Sequence, residues 1–157
     1  MSKKATFIIL LIIASISVGF YQLGKPLTED ERFVSYIVNP KKQNLEFFWK
    51  NERGEHFKNA ENLISWLKSK NKKLLFSTNG GMYKKDNSPQ GLYVENTITK
   101  SEIDALNGNG NFYLKPNGVF YLTTEKNPII CKTEDFVNNV KIKYATQSGP
   151  MLVIDGE

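Results

Sequence analysis

The chain has 157 residues, enough for one domain with a buried core. Its 40% apolar and 12% aromatic content excludes a chain disordered throughout. The net charge of +5 falls to +3 without residues 1–24, too mild a balance to argue for nucleic acid as a partner.

Lys3 and Lys4 precede an uncharged stretch over 5–24 whose centre, 7–14, is wholly apolar. Twenty helical residues span roughly 30 Å, about one bilayer core. Ser17-Val18-Gly19 supplies a small-x-small pattern for signal peptidase, though not the preferred Ala-x-Ala. The segment 1–24 therefore reads as a signal peptide or a membrane anchor. Both readings keep the two lysines in the cytoplasm and export the rest to the periplasm or beyond. The single cysteine, Cys131, can form no internal disulfide. Residues 25–32 form a polar linker with Pro26, and the folded domain is expected over 33–157.

Strands are expected at 33–38 and 45–49, both rich in β-branched and aromatic residues, with a turn at 51–54. Asn59 is placed to cap a helix whose Ala60, Leu63, Ile64 and Leu67 follow the i, i+3, i+4, i+7 pattern. Lys68, Lys70, Lys72 and Lys73 crowd its C-terminal end, as the helix dipole favours. A strand at 73–77 leads into the glycine turn Thr78-Asn79-Gly80-Gly81, and another is expected at 92–95. Residues 112–115 and 119–122 read as a hairpin turning at Pro116-Asn117-Gly118. Thr133 is expected to cap a short helix with Glu134 and Asp135 in its first turn, burying Phe136, Val137 and Val140. A last strand over 145–154 is interrupted near Gly149-Pro150, where proline points to an edge or a bend. The fold class is α+β, with mixed β-sheets and a few flanking helices.

Four runs, in order, carry a resemblance. They are Asn79-Gly80-Gly81-Met82-Tyr83; Ser88-Pro89-Gln90-Gly91-Leu92-Tyr93-Val94-Glu95-Asn96; Gly110-Asn111-Phe112-Tyr113-Leu114-Lys115-Pro116-Asn117-Gly118-Val119-Phe120; and Ala145-Thr146-Gln147-Ser148-Gly149-Pro150-Met151-Leu152. Together they resemble the phosphodiester glycosidase family, over roughly 33–156. The resemblance implies hydrolysis of a sugar-1-phosphodiester in an envelope or extracellular glycan, so the expected partner is a glycosyl phosphodiester or phosphorylated glycan. If residues 5–24 are uncleaved, the membrane is a second partner. Family members continue past the Asp155-Gly156 turn with an Arg-Asn-Gly-Val-Gly-like strand and a Leu-Asp-Gly-Gly-like turn. Neither occurs in this sequence. By resemblance the chain is the N-terminal portion of that domain, and hydrolysis by it alone is not expected. Two other readings stand beside hydrolysis: a non-catalytic module that binds phosphorylated glycans, and an inactive fragment.

The implied leaving group is a phosphate ester, far less basic than a sugar hydroxyl, so it needs little general acid. The site must hold phosphate charge and stabilise an oxocarbenium-like transition state. Gly80 and Gly81 suit the first task, because no side chain blocks an anion from the backbone; a plain tight turn is the alternative. Asn79 is equally suited to bond the substrate or its own turn. Tyr83 offers a ring face to a sugar, or packs in the core. Gln147, Ser148 and Gly149 sit at a strand bend where polar groups would face a cleft. Asn79, Tyr83, Gln147 and Ser148 are thus the catalytic candidates.

Substrate-binding candidates are Gly80, Gly81, Asn111, Lys115, Gly149 and Asp155. Asn111 and Lys115 match the family's third run, and Lys115 could neutralise phosphate. Carboxylates for the usual glycosidase pair are Asp86, Glu95, Asp104 and Asp155, and spacing assigns no pair among them. His56, the single histidine, reads as a surface residue. No cofactor is expected: no Cys or His cluster has metal-ligand spacing, although oxygen-ligand divalent cations such as calcium stay open.

Overall fold

The computed structural model describes residues 33–137 and 140–157. The expected signal or anchor segment (1–24), the expected linker (25–32) and Asn138-Asn139 lie outside them. Residues 33–37 fall in a separate unit from Val38–Glu157. They form no strand, and Phe33, Val34 and Ile37 are exposed.

Helix α1 (Ala60–Ser69) forms where the periodicity places it. The Asn59 side chain accepts the Asn62 N–H at 2.9 Å, so the cap satisfies one of the first-turn donors. Leu67 is its buried anchor, and Trp66 packs edge-on against Phe48 and Phe57. The lysines beyond its end are partly neutralised: Lys70 pairs with Glu52 at 2.7 Å and Lys72 with Glu46 at 3.0 Å.

Five strands follow: β1 (Tyr93–Glu95), β2 (Ile98–Ser101), β3 (Gly118–Thr123), β4 (Pro128–Lys132) and β5 (Ile142–Ser148). They make one sheet in the order β2-β1-β5-β3-β4, with every pairing antiparallel. The α+β class holds, but the expected mixed sheets are, among the described residues, this single antiparallel one.

Alternation along β5 divides the sheet into two faces. Ala145 packs with Val94, Val119, Leu92 and Ile142 in the aliphatic core, backed by Ile103, Tyr121, Cys131 and Phe136. The other face is aromatic. Phe47 lies over Tyr93, Phe120 and Tyr144, at ring-centroid distances of 6.2, 6.1 and 5.4 Å. The 45–49 segment was expected to be a strand. It instead serves as a cover, bridged to the rest of its own loop by Lys50 and His56. His56 is half-buried against the Trp49 ring rather than on the open surface.

Other expectations change for physical reasons. Residues 112–115 are not half of a hairpin: Asn111–Tyr113 is a 3-10 turn, and Phe112 is buried. β3 pairs instead with β4, through a turn at 123–127 in which Lys126 takes a positive φ. Thr133 opens a 3-10 turn, Thr133–Asp135, but caps nothing. Its hydroxyl donates to Asn117 Oδ1 at 2.6 Å. Phe136 is half-buried, whereas Val137 and Val140 are exposed. The last strand ends at Ser148, and 151–154 joins no ladder. Residues 73–77 join none either.

Candidate functional site

The end of β5 gathers most of the polar candidates. Thr146, Gln147 and Ser148 are consecutive there, so the middle side chain points to the opposite face from its neighbours. That geometry separates their roles.

Gln147 has no solvent exposure. Its Oε1 accepts the N–H of Leu92 and of Asp104, both at 2.9 Å. Its Nε2 donates to Asp104 O at 2.7 Å and Asn117 Oδ1 at 2.9 Å, with Thr133 Oγ1 at 3.2 Å. An amide has two lone pairs and two protons, so this group is fully used. Gln147 was expected to be catalytic. It cannot face substrate in this arrangement, because every polar position is spent holding the fold. Asn117 extends the network and is itself buried, donating to Phe112 O. Two glycines let the backbone close around these amides. Gly91 has φ +75°, and a Cβ there would meet Gln147 Oε1 at 2.3 Å. A Cβ on Gly149 would meet Asn117 Nδ2 at 2.7 Å and Phe112 O at 2.6 Å. Gly149 is therefore a packing glycine against the 112–117 segment.

Ser148 is exposed, one residue beyond the network. On the same face, Thr146 meets the glycine turn. A Cβ on Gly81 would lie 2.1 Å from Thr146 Oγ1, so Gly81 is held against β5 by close approach. Gly80 differs: its φ is not positive, and a Cβ there would meet nothing within 4 Å. Among the described residues, the N–H groups of Asn79, Gly80 and Gly81 donate to nothing, and the Asn79 side chain bonds nothing. The self-bonded turn is thus not what Asn79 forms. Tyr83 is 61% exposed with no ring partner among the described residues, so it does not pack in the core.

The 110–116 segment reaches the same strand end through Gly149, and Met151 N–H donates to Pro116 O at 2.8 Å. Asn111 and Lys115 on that segment are exposed, and their side chains have no partner among the described residues. Gly108 lies against the Tyr113 ring, so the 107–111 loop is partly packed. Asp155 is exposed in the terminal 154–157 turn, and among the described residues no hydrogen bond joins it to the Asn79-Gly80-Gly81 segment.

The carboxylates are dispersed. Asp86 accepts the Ser88 hydroxyl at 2.6 Å and its N–H at 3.0 Å, bonds that hold it below the usual carboxylate range. Asp104 accepts the Leu106 N–H and the Tyr113 hydroxyl. Glu95 accepts the Tyr93 hydroxyl at 3.1 Å, and the Tyr93 ring packs with Phe47 and Trp49. Burial pushes its carboxyl up, against the opposing pull of that hydroxyl, Lys100 and the Trp49 backbone. Tyr144 is pushed up to about 12, first by burial and then by Glu46 and Glu95. Among the described residues, no group of three or more His, Cys, Asp or Glu is placed to hold a metal.

Sequence reasoning missed Thr146 as the seat of the glycine turn and Asn117 as a buried partner rather than a turn residue. Both stood inside the quoted runs, but nothing local marks a polar residue as buried.

Comparison with known proteins covers the same stretch. The family model described as phosphodiester glycosidase matches residues 72–157, more than half of the chain. An uncharacterized protein of Escherichia coli (strain K12), YigE, is 34% identical over 122 residues, covering 78% of this chain and 47% of that protein. The chain thus spans about half the length of that curated relative. No solved structure matches it.

The Gln147→Leu substitution would strand the Leu92 and Asp104 N–H groups and the Asp104 carbonyl, and would leave Asn117 Oδ1 with the Thr133 hydroxyl alone. A cost of about 3 kcal/mol or more is expected, since each unpaired buried group costs roughly 1–3 kcal/mol. Urea unfolding measures it, with Ser148→Ala expected to change little. Glu95 yields a pH prediction. A folded pKa above its ordinary 4.5 means the neutral form favours folding, so this contribution is present below about 4.5 and is lost as pH rises through the raised value. Glu95→Gln should therefore gain stability relative to the native chain between pH 4 and pH 7, read from unfolding midpoints across that range.

Proposed function

Because the chain belongs to the phosphodiester glycosidase family, we propose that the end of β5 is the phosphate-holding part of a site that hydrolyses a sugar-1-phosphodiester. The bond broken joins the anomeric carbon to a phosphodiester oxygen, with water supplying the new hydroxyl. The departing phosphate ester is a weak base, so the site's work is to hold anionic charge and to favour an oxocarbenium-like transition state.

One observation carries the reading. Gly80 is a glycine that neither a positive φ nor packing requires, and it stands among three unpartnered amide donors. A phosphate can approach the backbone there unobstructed by a side chain. In this reading the amides of Asn79, Gly80 and Gly81 receive phosphate oxygens, and Lys115 supplies a balancing charge. The Ser148 hydroxyl bonds the phosphate edge. The side chains of Asn79 and Asn111 meet sugar hydroxyls, and the Tyr83 ring receives a sugar face. Gln147 is a positioning residue. Lys3 and Lys4 before the uncharged 5–24 stretch support action outside the cytoplasmic membrane, in the periplasm or extracellularly.

A second reading is that this chain binds phosphorylated glycans without cleaving them. The dispersed carboxylates favour it: Asp86 and Asp104 serve their own loops, Glu95 accepts the Tyr93 hydroxyl on β1, and Asp155 sits in the terminal turn. Acid and base groups would then belong to the half of the relative's length outside the match. Both readings need the same phosphate-holding turn.

Gly80→Val tests it. The site is sterically open, so the variant should keep its circular dichroism and unfolding midpoint. Affinity for methyl N-acetylglucosamine-1-phosphate should fall at least tenfold by calorimetric titration. Unchanged affinity in the folded variant would leave a plain turn. Gly81 is the wrong position for this test, since a side chain there collides with Thr146.

A further inference from the structure

We propose that Asn79 is a site of self-deamidation, and that the carboxylate so formed shuts off phosphate binding at the amides of 79–81. The switch rests on the phosphate-holding reading; the modification does not. The chain carries four Asn-Gly pairs, at 79–80, 107–108, 109–110 and 117–118. In each, the glycine has no side chain to shield its backbone nitrogen from the asparagine amide. The structure ranks them.

Asn79 and Gly80 are both exposed, and a Cβ on Gly80 would meet nothing within 4 Å. Among the described residues, the Asn79 side chain and the Gly80 N–H have no hydrogen-bond partner. Residues 78–80 belong to no helix, strand or hydrogen-bonded turn, so no ladder resists rotation of the Gly80 nitrogen toward Asn79 Cγ. Asn117 is the opposite case. It is buried, its Nδ2 donates to Phe112 O, and its Oδ1 accepts from Thr133 Oγ1 and Gln147 Nε2. Gly118 opens β3. The other two pairs fall between these extremes. Their asparagines are exposed, but Gly108 is packed against the Tyr113 ring and Gly110 O accepts the Tyr113 N–H at 3.1 Å.

The chemistry needs only water and hydroxide. Hydroxide removes the Gly80 amide proton, and the nitrogen attacks Asn79 Cγ. A bond from Gly80 N to Cγ forms, the Cγ–Nδ2 bond breaks, and ammonia departs after taking a proton from water. Water then opens the resulting succinimide at either carbonyl. One opening leaves aspartate at 79. The other leaves isoaspartate, whose main chain runs through the side-chain methylene. Both products carry a negative charge where a neutral amide stood. A carboxylate there repels a phosphate and competes for the same N–H groups. A bound phosphate acts in the reverse sense: a Gly80 N–H that donates to phosphate is held away from Asn79.

Peptide mass spectrometry on the full 157-residue chain, aged in detergent micelles in mildly alkaline buffer, tests this. Asn79 should convert at least tenfold faster than Asn117, and faster than Asn107 and Asn109, at a rate that rises with pH. Asn79→Gln should abolish conversion at this position, because glutamine closes its larger ring far more slowly. Saturating methyl N-acetylglucosamine-1-phosphate should slow conversion at least tenfold. The aged chain and Asn79→Asp should each bind that ester at least tenfold more weakly than the fresh chain, with unchanged circular dichroism. Conversion at Asn79 no faster than at the other three asparagines, no protection by bound ester, or full affinity in the aged chain would each overturn the proposal. A fresh chain without affinity for the ester would overturn the phosphate-holding reading and the switch with it. Conversion is read by mass alone, so the modification succeeds or fails apart from that reading.

Discussion

The buried amide of Gln147 is the interaction on which this structure turns. It joins four segments distant in sequence: the entry to β1 at Leu92, the loop at Asp104, the entry to β3 at Asn117, and the turn after β4 at Thr133. Each bond is ordinary by itself. In a dry setting they reinforce one another, and losing one partner leaves others unsatisfied. The network also dictates residues that carry no polar group. Gly91 and Gly149 are glycines because the amides of Gln147 and Asn117 occupy the space a side chain would take.

The same network sets what β5 presents. With Gln147 turned inward, Thr146 and Ser148 must face the other side, where the aromatic cover ends and the glycine turn arrives. Thr146 receives Gly81, and Ser148 stays exposed beside it. Across the strand end, Gly149 draws in the 112–117 segment that carries Lys115. Gly81 is thus seated on Thr146 and the 112–117 segment on Gly149, and the buried amide supplies the rigidity that loops alone would lack.

Legibility followed the range of the interactions. Helix α1 was readable because its cap and its apolar face lie within ten residues of each other. The expected turn at Thr78-Asn79-Gly80-Gly81 does not close: residues 78–80 form no hydrogen-bonded turn and the chain bends only at Gly81, where Thr146 sits against it. β2 was missed, as its Ile98-Thr99-Lys100-Ser101 sequence is largely exposed and carries a weak apolar pattern. β4 was missed because Pro128 reads as a break, yet proline is tolerated at the start of an edge strand. The 112–118 hairpin was misread for the opposite reason. Pro-Asn-Gly is a good local turn, but Asn117 gains more by bonding Phe112, Thr133 and Gln147 inside the fold. Gln147 itself looked catalytic because nothing in one sequence distinguishes a polar residue facing a cleft from one facing a core.

The central claim is that the amides of Asn79, Gly80 and Gly81, held by β5, form an anion-binding turn. Amide chemical shifts of the full chain, followed during titration with methyl N-acetylglucosamine-1-phosphate, test it most directly. Saturable downfield shifts at these three amides, together with Ser148, are the result expected. Shifts that map elsewhere, or amides at 79–81 that do not move at saturation, would contradict it.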